Sequence, residues 1–511
     1  MDSCRKTTTR RVLVLSLALV IAVAAALTIR WAVWPATEPG ERSASGPFLR
    51  GPFLHNGRGD RMTVCWTTDQ PAQASVHVMN DDGTTIRTLS TPSAATHQEI
   101  VIDGLQPNRH YRYEVQLTRR GARPLGGTFT TSPSPGTPCE LAAWGDSRSN
   151  PETCKAIADL ILKSGAPICL HSGDFVSQGY NPDEWDRMFF RPAAAMLRSV
   201  VCWPAIGNHE LGKDINGVTG RQVFAQSFAL PGDKLYYSFD YGDAHILVLD
   251  SNTDFSDNRA QYEFADRDLA DAKPPWKIVM FHHPLFTSGG HGSQIDMRTR
   301  YGPLFARHNV DLIVVGHDHN YQRSRPIRHR YESLQKRPYV QIVSGGGGAP
   351  TYEILRSDDP WTAAATSKNH FVHINIDGNR LVGSAIGLDG QAFDRFEINK
   401  SFASSDAVAY EFIELERAYR NLALAASTCF VLTDSGARYA SGVLAHRGTA
   451  IRPGPREAVQ APYFLRRIIP PASAAKAAAS RTRVDGSGTM VKPAAVNIWI
   501  AWASKWPAAR G

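Results

Sequence analysis

Residues 310–324 read VDLIVVGHDHNYQRS, an apolar run that breaks off into Gly316, His317, Asp318 and His319. Alternate residues of an extended segment point the same way, so His317 and His319 can aim both imidazoles at one place. A lone histidine there is a packing residue as readily as a ligand. A pair at this spacing raises the question of where the other ligands are. Four more apolar runs end alike: Asp146 follows "CELAAWGD", Asp174 "APICLHSGD", Asn208 and His209 "VVCWPAIGNHE", and His282 "KIVMFHHP". Open α/β sheets keep their sites in such loops, beyond the strand ends. Carboxylates, a carboxamide and imidazoles without a thiolate suit iron, manganese or zinc better than calcium or a structural zinc. Each fragment alone is weak, because an aspartate behind a strand often just caps the next helix. Together they exceed what one ion needs and predict a two-metal centre.

The runs that carry these residues alternate with helical segments, "PETCKAIADLILKSG" and "RAQYEFADRDLADA". In the first, apolar residues fall at 157, 160, 161 and 162. This alternation predicts a layered α/β domain over 137–400, closed by a hairpin in "FVHINIDGNRLVGSAIG". Ahead of it, 48–135 holds short strands at close spacing, among them "RMTVCWTT", "QASVHVMN" and "YRYEVQLT", which predict an all-β sandwich. Trp66 is its expected core residue, and the region offers no chemistry, only a structural spacer. The fold expected is therefore a β-sandwich followed by a layered α/β domain.

The net charge of +8 sits at the two ends: +7 over 401–511, +3 over 1–47 and −2 between. The folded middle is close to neutral and argues for no nucleic-acid partner. At the N-terminus, Arg5, Lys6, Arg10 and Arg11 precede eighteen uncharged residues, 12–29. Residues 1–34 thus read as an export signal or a membrane anchor, with "TTRRVLV" resembling a twin-arginine signal. That places the protein in the periplasm, outside the cell, or anchored at the outer membrane face. Residues 35–47 read as a linker, and 401–511 as a low-complexity, disordered tail with a helix around "AYEFIELERAYRNLAL". The seven cysteines show no zinc-finger spacing, and a Cys139–Cys154 bridge is conceivable in an oxidising compartment.

The ordered set GD, GD, GNHE, HxP and GHxH resembles the calcineurin-like metallophosphoesterases. "GHDHNYQRS" and the preceding sandwich resemble the purple acid phosphatase branch, and "LQPNRHYRYEV" resembles the tyrosine corner of fibronectin type III domains. The resemblance implies that Asp174 bridges two metal ions, iron with zinc or manganese. Asp146 and His319 would hold the first, and Asn208, His282 and His317 the second. His209 and His291 would face a phosphate ester, stabilising charge or protonating the leaving oxygen. Two positions depart from the pattern. Ser177 stands where purple acid phosphatases have a tyrosine, and Arg148 where the wider superfamily has a histidine. The first ion thus lacks a protein ligand, to be replaced by water or a group such as Tyr180 or to leave the ion less tightly bound, and no purple colour is expected. Arg148 reads either as a clamp on a phosphate oxygen or as a surface ion pair. The function implied is hydrolysis of phosphate esters, monoesters first. Diester hydrolysis, or a catalytically impaired cell-surface binding protein, is the alternative.

Several neighbours take plainer readings. "SGGGGAP" at 344–350 lacks the Lys-Ser/Thr of a phosphate loop and reads as a tight turn under the site. His283 and His171 read as packing or supporting residues, and the basic stretch 323–337 as a solvated loop near the site.

Overall fold

The computed structural model describes residues 46–400 apart from 233–234, 256–257 and 330–333, together with the backbone of 408–409. The export segment and the tail helix expected from the sequence lie outside the described residues. No helix among the described residues is long and apolar enough to cross a membrane.

Seven strands form the N-terminal sandwich: β1 (Phe48–His55), β2 (Met62–Ala72), β3 (Ala74–Met79), β4 (Thr85–Ser90), β5 (Ala95–Ile102), β6 (His110–Leu117) and β7 (Leu125–Thr130). One sheet runs β1-β2-β5 and the other β4-β3-β6-β7, every pairing antiparallel. Strict alternation on β6 buries Tyr111, Tyr113, Val115 and Leu117, the period-two pattern of a half-buried sheet. Trp66 is fully buried between the sheets. The Tyr111 hydroxyl accepts the backbone N–H of Gln106 at 3.1 Å, the bond that defines a tyrosine corner.

Two further sheets make the α/β part. The first has the order β10-β9-β8-β19-β20-β21, built from β8 (Cys139–Trp144), β9 (Ile168–His171), β10 (Val201–Pro204), β19 (His370–Asp377), β20 (Arg380–Gly387) and β21 (Ala392–Asn399). The second has the order β11-β12-β13-β14-β17-β15-β18. It uses β11 (Tyr237–Tyr241), β12 (Ala244–Val248), β13 (Trp276–Met280), β14 (Leu312–Val315), β15 (Tyr321–Ser324), β17 (Val340–Ser344) and β18 (Thr362–Thr366), while the two-residue β16 (Ile327–Arg328) stands apart. Strands β12, β13, β14 and β17 are mutually parallel, and both their faces are apolar, as covered parallel strands require. Ile246, Ile278, Leu312 and Ile342 join the core shared with Leu141, Ile374 and Ile376 of the first sheet. Their neighbours Leu247, Val279, Ile313 and Val343 face a second core of Ala265, Leu269, Met297, Tyr301 and Phe305. These last come from two helices, Arg259–Asp271 and Ile295–Arg307.

Helix α1 (Pro151–Ser164) follows the first candidate ligand. Asn150 caps it by accepting the Thr153 N–H, Pro151 opens it, and Gly165 closes it at φ 82°, the left-handed turn a glycine adopts without strain. It buries Cys154, Ile157, Ala158 and Ile161, whereas Leu160 and Leu162 stay half-buried.

Two expectations are corrected. Cys139 and Cys154 are both free, buried thiols, pushed up to about 11 and about 12 by burial. The described residues of the basic stretch 323–337 are not placed beside the site. Arg323 pairs with Asp394 of β21, and Arg337 with Asp311 at the start of β14, the end opposite His317.

Candidate metal centre

The carboxyl ends of β8, β9, β10, β13 and β14 meet along one edge, so Asp146, Asp174, Asn208, His209, His282, His317 and His319 all come together there. The backbone at three of them is unusual. Asp146 (φ 56°), Asp174 (φ 59°) and His317 (φ 72°) are left-handed, a conformation costing on the order of 1–3 kcal/mol where the surroundings impose it. The surroundings do so by hydrogen bonds. The His317 N–H donates to both Asp146 carboxylate oxygens at 3.0–3.1 Å. Glu210, fully buried, accepts the N–H groups of Asp174, Phe175 and Gly207 at 2.8 Å each. Glycines make the close approach possible: a Cβ on Gly316 or Gly345 would run into the Asp146 carboxylate or the Asp318 carbonyl.

The ligands fall into two groups. In the imidazole-rich group, His282 Nε2 lies 3.0 Å from Asn208 Oδ1, 3.2 Å from His317 Nδ1 and 3.4 Å from Asp174 Oδ1. His282 Nδ1 is 2.9 Å from the Ser172 carbonyl, so it must be the proton donor there. Burial holds the ring well below its ordinary value and therefore neutral, which leaves Nε2 with only a lone pair. Two acceptors, Nε2 and Oδ1, then face each other with no proton between them. A cation placed there satisfies both, and buried neutral imidazoles are the form a metal ion needs. His283, expected to be a packing or supporting residue, joins the same group with His282 and His317. Ser251 Oγ accepts the N–H of both His282 and His283 and lies 2.8 Å from His283 Nδ1. With its lone pairs spent, Ser251 donates its proton to Nδ1, which puts the His283 proton on Nε2 and makes that atom a donor, not a ligand.

In the carboxylate-rich group, one oxygen each of Asp146 and Asp174 and one nitrogen of His319 lie within 4.8 Å of one another. Burial and the Asp174 charge push Asp146 well above the carboxylate range. His319 Nδ1 donates to the Pro350 carbonyl at 2.8 Å, and burial with Arg148 holds this ring at about 4. Arg148 is no surface group, since its side chain is 15% exposed. Its Nη2 is 3.3 Å from His319 Nε2 and its Nε 3.5 Å from Asp174 Oδ2. Tyr180, the substitute ligand considered from sequence, has its ring against Gly212. The phenol at this group is Tyr352, stacked on His319 at 4.1 Å.

Two histidines border the cavity. His209 Nδ1 donates to the Ser177 carbonyl at 2.9 Å and turns Nε2 towards Asp174 Oδ2, 3.8 Å away, with the side chain 30% exposed. His291 Nδ1 donates to buried Asp318 Oδ1 at 2.9 Å, its ring 4.3 Å from His317, and it is 39% exposed. Asp318 is in turn bonded by the Thr287 hydroxyl. Tyr352, Glu210 and Asp318 carry none of the spacing that exposed the ligands. The one signal for Asp318 is its place between the paired histidines.

Residues 145–321 match the family described as calcineurin-like phosphoesterase. These residues form a calcineurin-like phosphoesterase domain, and with the relatives below they mark the chain as a phosphoester hydrolase. It is 26% identical over 313 residues to purple acid phosphatase 23 of Arabidopsis thaliana, covering 53% of this chain and 67% of that relative. It is 26% identical over 368 residues to a protein named probable inactive purple acid phosphatase 1 from the same plant, covering 60% of this chain and 58% of that one. Purple acid phosphatase PPD1 of yellow lupin shares the fold of this phosphoesterase with a TM-score of 0.60 at 22% identity, covering 70% of this chain and 76% of that one.

Proposed function

We propose that this phosphoesterase is a metal-dependent phosphomonoesterase exported from the cytoplasm. One observation carries the metal-dependent chemistry: His282 Nε2 and Asn208 Oδ1 face each other at 3.0 Å as bare acceptors, with His317 and Asp174 closing the set. These residues would hold an ion such as iron, manganese or zinc. Bound there, such an ion supplies Lewis acidity to a phosphoryl oxygen and makes water a nucleophile near neutral pH. The rest falls to the chain. His209 and His291 each donate through Nδ1, so each presents Nε2 to the cavity, and the imidazolium form of either ring carries there a second proton for the leaving oxygen. A positioned acid of this kind is worth ~10²–10⁴-fold. His283 offers an N–H to a phosphate oxygen. The monoester preference rests on resemblance, and the two-ion centre expected from the sequence rests on the number of candidate ligands.

A second reading, a binding protein without turnover, is favoured by Ser177 and Arg148, both on the carboxylate-rich side. Hydrolysis of an aryl phosphate monoester and diester, after reconstitution with Fe, Mn or Zn, separates the readings. Metal-dependent turnover, faster on the monoester and lost in Asp174→Ala, is the expected result. A faster rate on the diester selects diesterase, and a folded, metal-loaded chain without turnover overturns the enzyme reading.

A further inference from the structure

We propose that Arg148 takes the place of one metal ion: its guanidinium is the resident cation among Asp146, Asp174 and His319, and the chain binds a single ion in the imidazole-rich group. The proposal rests on the reading that the His282 group holds a metal, and it adds that the other group does not.

The geometry assigns the guanidinium to this position. A ligand histidine offers a metal its unprotonated nitrogen. In His319 that atom is Nε2, because Nδ1 donates to Pro350, and an Arg148 N–H already lies 3.3 Å from it. The same guanidinium stands 3.5 Å from Asp174 Oδ2. Its Nε is buried and makes no hydrogen bond, so this ion pair answers it by charge alone. Nη1 donates to Ser149 Oγ at 3.1 Å, and Ser149 Oγ lies 3.5 Å from Ser177 Oγ. The two departures from the family pattern are therefore neighbours in space: a small serine where a ligating phenol is expected, and a long cationic side chain where an imidazole is expected. Tyr352 closes the arrangement by stacking on His319.

Chemistry makes the two cations alternatives. A guanidinium carries only N–H donors, has no lone pair to give a metal, and does not lose its proton in proteins. An ion among the same three donors would sit against it in a buried pocket where like charges are poorly screened. The carboxylates do need a positive partner, because Asp146 and Asp174 are both buried. Arg148 provides that partner permanently, whatever the metal supply. In the imidazole-rich group no lysine or arginine contacts His282, Asn208 or His317 among the described residues, and the lone pairs there stay open.

The test counts ions. The full chain is loaded with excess Mn²⁺ or Zn²⁺, freed of unbound metal, and measured by elemental analysis against protein concentration. One ion per chain is expected. His282→Ala should fall to none and Asp146→Asn should keep one. Replacing Arg148 by the superfamily's histidine and Ser177 by tyrosine (R148H/S177Y) should raise the count to two. With ferric iron it should also create a visible tyrosinate-to-iron absorption band missing from the parent. The parent count needs no variant to fold, and far-ultraviolet circular dichroism checks those that must. Two ions in the parent overturn this proposal alone. No ion in the parent overturns it together with the metal-dependent reading. An ion lost in Asp146→Asn but kept in His282→Ala overturns the assignment of groups.

Discussion

The two halves of the site are built from the same strand ends and share Asp174, yet differ in what fills them. Around His282, bare lone pairs converge at 3.0–3.4 Å with no lysine or arginine among them in the described residues. Around Asp146, a guanidinium stands at comparable distances from both kinds of donor. Proximity of donors alone does not make a metal site. The deciding feature is whether the lone pairs are already claimed, and hydrogen-bond direction answers that where residue type does not.

Asp174 touches both halves, so its loss gives the largest effect expected. Asp174→Ala should lower kcat/KM by about 10³-fold or more, a loss at or above that of a single transition-state partner, read by initial rates on a monoester. Residual activity within tenfold of the parent would mean that the halves do not work through it. His209→Gln comes next, with a loss of roughly 10²-fold in kcat and little change in KM if it holds the proton for the leaving oxygen. A loss confined to KM would make it a binding group only.

Glu210→Gln tests what aligns the halves. It replaces a carboxylate that accepts three backbone N–H groups with an amide that places a donor against one of them. It should weaken metal binding by roughly 10–100-fold, as loss of a ligand-orienting partner does, and destabilise the chain by about 1–3 kcal/mol. Metal titration and thermal melts read the two separately.

The smallest effect is a control remote from both halves. His245, near the start of β12, is 2.7 Å from Asp240 and 2.8 Å from Asp268. Burial pulls its imidazole down, but the bonds to the two aspartates outweigh it and lift it from 6.5 to about 9. Because the folded value is the higher one, the stabilisation is complete below pH ~6.5 and lost as pH rises through about 9. It amounts to at most ~3 kcal/mol. His245→Gln should flatten that decline in denaturant melts and leave the pH profile of turnover unchanged. A shifted profile would tie this cluster to the site.

Much of this was legible in the sequence. The ligands stood out because a buried parallel strand must be apolar and its end need not be, so each polar residue after an apolar run marked a strand end. The sandwich announced itself through alternation and the Leu105–Tyr111 corner. Helix Ile295–Arg307 escaped because Gly302 and Pro303 interrupt its pattern, while its buried face includes Arg298. Asp318 and Tyr352 escaped because their partners lie tens of residues away, and Glu210, although it stands inside the GNHE run, gives no local sign of its bonds to the Asp174 and Phe175 N–H groups. Arg148 was visible as a departure, but only its distance to His319 shows what it displaces.

The sandwich read as a spacer, yet it is wired to the chemistry. Phe53 of β1 packs at a tilt against Phe190 at 5.2 Å, Phe190 lies 5.8 Å from Phe228, and Phe228 lies 5.4 Å from Phe175, the residue after Asp174. Arg50 reinforces the first step, 2.6 Å from Asp186 and 4.0 Å above the Phe190 ring. Four rings thus connect an N-terminal strand to the backbone of the shared ligand. In terms of modularity the two parts are not exchangeable. A sandwich grafted from another protein would supply the same topology, but without a ring in place of Phe53 it would leave a void against Phe190, the first ring of that path. Evolution of the sandwich surface is therefore constrained from inside the active site, through packing instead of contact with substrate.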